Sequence, residues 1–280
     1  MKERPRRFLT RTLDFWLGSM DPIRIETFRV LLGLCLLFYM AAWWHHAQEW
    51  LTPKGFHLST VVLKNYAPAL PLLSPSLLPW FGLLLFGSIG AFVLGWKPPG
   101  TTWVVLGCVT YVTFADILSA YTINSLFIVS LFILALNARE RAWPVRVLQA
   151  TLLIQYFSCG WVKIHPGDWL KHSDVLWTQV QGWYRTELAS WLLGILPMKG
   201  WTLMQYGALS FELLSPLLFV IRPLRKIAFL WGVAFHLMTA LTMHLLIFFS
   251  LQMLCFYILF VEPETLHRFQ DRVEGKLDRG

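Results

Sequence analysis

The sequence predicts an all-α integral membrane protein: a single polytopic bundle of about eight transmembrane helices, with an interfacial helix in the connection before the sixth. Three observations predict it. Of the 280 residues, 56% are apolar and only 14% are charged, against about 25% charged in a soluble domain. The missing charge is concentrated in connections between long apolar runs, as in a chain that crosses lipid repeatedly. Fifteen Trp are present, and several lie at the ends of apolar runs, where interfacial anchors belong. The net charge of +8 does not point to nucleic acid. The basic residues fall in short clusters between apolar runs, which is the orientation signal of membrane proteins.

Residues 1–26 read as a cytoplasmic leader carrying Arg4, Arg6, Arg7, Arg11 and Arg24. The run from Phe28 to Trp44 is long enough to span. It ends in Trp43-Trp44 rather than in a small-residue cleavage site, so it is read as the first span, from about Thr27. His45 to Leu78 carries Pro53, Pro68, Pro71 and Pro75. It is too broken for one helix and too apolar for a free linker, so it is expected to fold against the membrane surface. Span 2 runs from about Pro79 to Trp96, and Lys97-Pro98-Pro99-Gly100 reads as a tight turn. Span 3 covers about Thr101 to Ala115, residues 116–120 a turn, and span 4 about Tyr121 to Asn137. Arg139, Arg141 and Arg146 mark the next connection, and span 5 ends near Lys163.

In the second large connection, 165–200, Pro166-Gly167-Asp168 breaks the helix. Trp177, Val180, Tyr184, Leu188 and Trp191 then recur at spacings of three and four, one apolar stripe of a helix lying in the interface plane. Span 6 covers about Trp201 to Ile221. From Ile227 to Val261 the chain is apolar almost without pause, too long for one span of roughly 20 residues. The polar point Thr239 to His244 divides it into spans 7 and 8. This gives a leader (1–26), a transmembrane domain (27–261) and a charged cytoplasmic tail (262–280). With Met1 inside, the compact basic clusters all fall on the cytoplasmic side, so both termini are cytoplasmic and the protein is expected in a bacterial inner membrane.

Ionisable residues deep in a span usually face the protein interior and pair. The ones to explain are Lys163 at the end of span 5, Glu212 in span 6, His236 in span 7 and His244 at the turn after it. One outward-opening cavity would gather them. The structural reading is a packing ion pair. The functional one is a proton-handling site, since a lysine out of water can serve as a base near neutral pH. Asn124, Gln155, Gln205 and Gln252 read as helix-packing groups, and Asp21 and Arg29 as boundary anchors. Cys35, Cys108, Cys159 and Cys255 lie in different apolar runs with no metal spacing and read as packing residues.

These residues form patterns that resemble the vitamin K-dependent γ-carboxylase-like, or HTTM (horizontally transferred transmembrane), family. The resemblance begins with Asp21-Pro22 and Phe28-Arg29-Val30-Leu31-Leu32-Gly33. It continues through Asn124-Ser125-Leu126 and is most specific in Tyr156-Phe157-x-x-Gly160-x-x-Lys163 followed by Asp168-Trp169. It closes with Glu212 and Pro216, then Phe235-His236 and the helix ending Phe260-Val261. In the animal carboxylase the matching lysine deprotonates reduced vitamin K, whose oxidation drives carboxylation of peptide glutamate. The resemblance therefore implies a membrane enzyme using a quinol. Lys163 is the implied base and Glu212 and His236 its catalytic support, with Asn124, Tyr156, Trp169 and His244 around the cofactor. Two departures stand out. The segment Thr122-Ile123-Asn124-Ser125 lacks the family's histidine, and the carboxylase's large soluble portion has no counterpart in this sequence. The expectation is quinone-linked proton or oxygen chemistry rather than glutamate carboxylation, on a peptide or small molecule from the outer face. The rival reading is a non-catalytic accessory or immunity-type membrane protein that binds a peptide, lipid or partner subunit through its outer connections.

Overall fold

The computed structural model describes residues 11–57, 70–116, 121–136, 138–165 and 167–277. Most of the basic leader, the middle of the proline-broken connection, the 117–120 turn and Pro166 lie outside the described residues. The described chain is helical, without strands apart from isolated bridges. In order the helices are α1 (Ile23–Trp44), α2 (Ala47–Leu51), α3 (Leu78–Leu94), α4 (Pro98–Ala115), α5 (Thr122–Ala135), α6 (Ala142–Ile164), α7 (Val175–Val180), α8 (Glu187–Ile195), α9 (Met198–Val220), α10 (Arg225–Thr242), α11 (Ile247–Tyr257) and α12 (Pro263–Leu277). Each apolar run expected to span is a helix. Among the described residues three are long and apolar enough to cross a membrane on their own: Ile23–Trp44, Met198–Val220 and Arg222–Thr242. A fourth is reached if His244–Phe260 and Pro263–Gly275, bent by 108°, count as one. The others are shorter or more polar. The 14 residues of α5 reach only about 21 Å at about 1.5 Å per residue, against a hydrocarbon layer of about 30 Å.

The chain divides into two compact units, Met1–Pro144 and Val145–Gly280. In the first, α1 packs on α3 and α5, and α4 packs on both α3 and α5. Phe28, Leu32, Leu36, Leu85, Phe92 and Phe127 are fully buried there. Arg29 ties α1 to the end of α3. Its guanidinium donates to the carbonyls of Phe92 and Val93 at the end of α3 and pairs with Glu26 at 3.0 Å. Glu26 also takes Arg139 at 2.7 Å. The turn expected at residues 97–100 lies slightly earlier. Gly95, at φ 72°, caps α3, and Lys97 carries the second positive φ. Pro98 and Pro99 then open α4, where a missing N–H is no loss.

In the second unit, α9 packs on α7 and α10, and α10 on α8 and α11. The apolar stripe 177–191 does not form one helix. It is divided between α7 and α8, with residues 181–186 in turns and a bridge from Arg185 to Met243. Thr186 supplies the physical reason. Its Oγ accepts the Ala189 N–H at 3.1 Å, so it starts a new helix rather than continuing the old one. Val180, Ala189, Trp201 and Met243 bury together, with Trp177 and Tyr184 packed against them. The further stripe residue Trp191 stays 59% exposed.

Candidate functional site

The site lies within the second unit and is built on α6. Tyr156, Cys159 and Lys163 stand three and four residues apart, so they share one helix face. On α9, Trp201, Met204, Ala208 and Glu212 share another. Gly160 brings the two helices close. A Cβ there would lie 3.1 Å from the Glu212 Cβ and 3.0 Å from the Leu213 side chain, so a larger residue would force the helices apart. Through that approach the Lys163 ammonium reaches Glu212 Oε1 at 2.5 Å. The Glu212 side chain is only 6% exposed and that of Lys163 25%. The Lys163 ammonium also sits 4.5 Å from the centroid of the Trp169 ring, a cation–π contact.

Pro216 explains how Glu212 is held. Proline lacks the N–H that would bond the carbonyl four residues back. The freed Glu212 carbonyl instead accepts the Ser215 hydroxyl at 3.0 Å. Trp169 is placed by Gln205, which is wholly buried. The Gln205 amide donates to the carbonyls of Trp169 (2.8 Å) and His172 (2.7 Å), and its oxygen accepts the Leu176 N–H at 3.0 Å. One glutamine thus fastens the 169–176 segment against α9. A packing role was expected for it, but its choice of partners was not legible in the sequence.

A second polar group adjoins the pair. Tyr156 Oη lies 2.6 Å from His236 Nε2 and 2.8 Å from Tyr257 Oη, all three residues being buried. Rings of Phe211 and Phe219 pack around Tyr156 at 5.1 and 6.5 Å between centroids. Tyr257 was not singled out in the sequence, because a tyrosine near the end of an apolar run reads first as an interfacial anchor.

Lys163, Glu212, His236, Tyr156 and Trp169 all line one cavity of about 690 Å³. The rest of its wall is largely apolar and rich in methionine, with Met204, Met238, Met243 and Met253. Glu212 Oε2, His236 Nδ1 and Trp201 Nε1 are buried and have no hydrogen-bond partner among the described residues. Two expected members are elsewhere. His244 is exposed, its Nδ1 2.9 Å from the Tyr184 carbonyl, and it does not line the cavity. Asn124 is buried on α5 in the first unit, where it lines a small cavity with Tyr39, Trp43 and Tyr121.

No curated protein and no solved structure matches the chain. The family model of the HTTM domain matches residues 134–264. That interval holds the whole lysine, glutamate and histidine site, and it is the family to which the residue patterns pointed. Over residues 134–264 the chain is therefore similar to the HTTM domain, and its apolar helices fit a membrane protein.

Proposed function

We propose that the cavity beside Lys163 is the site of a membrane enzyme that uses a quinol. The observation that carries the reading is the 2.5 Å Lys163–Glu212 pair set in the wall of an apolar cavity of about 690 Å³. Ligand sites are commonly apolar hollows of about 300–1,000 Å³ with a few placed polar groups. The donor set fits a quinol. Glu212 Oε2 and His236 Nδ1 lack partners, and a pair of ring hydroxyls could supply them. The methionine-rich wall suits an apolar ring and tail. When bound, a quinol supplies reducing electrons and acidic hydroxyl protons.

The chain's own groups would handle the proton. Transfer from Lys163 Nζ to Glu212 Oε1 leaves an amine that can take a proton from a ligand hydroxyl. Trp169 covers the amine and limits water around it. Tyr156 orients His236 by holding Nε2. The substrate is a peptide or small molecule approaching from the outer face. The topology that goes with this reading has eight membrane crossings in a bacterial inner membrane and both termini cytoplasmic. Its domains are 1–26, 27–261 and 262–280, and the α7–α8 segment lies at the outer interface.

The test is direct. Protein purified from its membrane is extracted for quinones and assayed for quinol oxidation in proteoliposomes, beside folded Lys163→Ala and Glu212→Gln variants. Loss of oxidation in both variants supports the site, and unchanged oxidation in both removes it. A second reading is favoured by Trp183 and Trp191, 79% and 59% exposed in the α7–α8 region. It is a non-catalytic accessory protein that binds a peptide, lipid or partner subunit there. Absence of copurifying quinone, together with a partner crosslinked at Trp183, would select it.

A further inference from the structure

We infer that α12 is a membrane-surface helix whose Phe269 and Val273 insert into lipid beside the apolar helix that precedes it. The apolar stretch His244–Phe260 turns by 108° into Pro263–Gly275, so α12 runs across its predecessor rather than along it. The corner is tied down. Arg225 Nε donates to the Phe219 carbonyl at 2.9 Å, and its Nη1 pairs with Glu262 at 3.2 Å.

On α12, Leu266, Phe269 and Val273 are spaced by three and four residues and share one face. Leu266, near the corner, is 8% exposed, whereas Phe269 is 69% and Val273 44% exposed. The face that begins buried against protein therefore continues past its edge. Beside the end of an apolar membrane helix, the medium under that face is the boundary between acyl chains and headgroups. Exposed Arg268 and Arg272 lie on one flank of the stripe and exposed Glu274 on the other. From Pro263 to Leu277 the acidic residues Glu264, Asp271 and Glu274 balance Arg268, Arg272 and Lys276. Insertion thus rests on apolar burial rather than on attraction to anionic lipid. A length of chain that reads as a charged tail becomes a strut on the membrane surface.

The test places an environment-sensitive dye on Phe269→Cys, Val273→Cys and Asp271→Cys in full-length protein reconstituted in phosphatidylcholine vesicles. The signal of the unsubstituted chain is subtracted. Dyes at 269 and 273 should be quenched by doxyl-labelled lipid at least about twofold more strongly than the dye at 271, with iodide showing the reverse order. The same order should hold when phosphatidylglycerol is added. Equal iodide access at all three positions would overturn the inference by lifting the helix off the membrane. Protection of 269 and 273 from both quenchers would overturn it by showing a protein cover.

Discussion

A methyl group on Gly160 would stand 3.1 Å from the Cβ of Glu212, closer than ordinary contact. The glycine is therefore a spacing element for the ion pair one turn further along α6. Gly160→Leu should push α6 and α9 apart and break the contact, at about 1–3 kcal/mol for overpacking. Gly160→Ala should be milder. Thermal unfolding of the purified variants checks the order. Equal stability of Gly160→Leu and the parent would show that the helices do not need this approach.

Breaking the ion pair from one side should cost more than removing it. Lys163→Met alone leaves the Glu212 carboxylate buried, and Glu212→Leu alone strands the ammonium. Each should lose about 3–5 kcal/mol, while the double variant should recover most of it. A double-mutant cycle on unfolding in mixed micelles measures the coupling. Additive effects would mean that the two groups do not depend on each other.

Tyr156→Phe removes the contacts to both His236 Nε2 and Tyr257 Oη. Buried polar groups left unpaired cost about 1–3 kcal/mol each, so this change should destabilise more than Tyr257→Phe, which leaves His236 its partner. The comparison of the two melting temperatures decides it, and the reverse order would discard the bridging role of Tyr156.

Gln205→Leu should loosen the segment it fastens, because two carbonyls and one N–H lose their partner together. Hydrogen exchange over residues 167–176 should rise by about tenfold or more, a factor equivalent to about 1.4 kcal/mol of lost local stability. Exchange elsewhere in α9 should change little. Unchanged protection of 167–176 would count against the fastening.

Gly207 lines the cavity, and a Cβ there meets nothing within 4 Å. Gly207→Leu should therefore fill space that a ligand would use, without touching Lys163 or Glu212. Bound quinone, measured by extraction, should fall by about tenfold, equivalent to about 1.4 kcal/mol of binding. Stability should hold, since Gly is a poor helix former. Retained quinone in this variant would place any quinone outside the cavity.

Much of this was legible in the sequence for a simple reason. A lysine, a glutamate and a histidine inside apolar runs are conspicuous because lipid does not solvate them, and all three line the same cavity. Gln205 and Tyr257 were less visible, because an amide or a phenol in an apolar run is tolerated with many possible partners. The stripe from Trp177 to Trp191 misled in one respect. Periodicity reports a face but not a break, and the Thr186 cap interrupts the helix while leaving the spacing intact.

The sequence by itself determined the solvent and the elements. Apolar content sets the membrane, breaks in hydropathy set the helices, and stranded charges mark which helices carry a site, since each follows from transfer out of water one segment at a time. Only the tertiary structure decided which stranded groups meet. Pairing depends on how closely α6 and α9 approach, on the carbonyl that Pro216 leaves for Ser215, and on the three hydrogen bonds of Gln205. His244 turned instead to the Tyr184 carbonyl. Such contacts join residues far apart in the chain, and local composition carries no record of the distances between them.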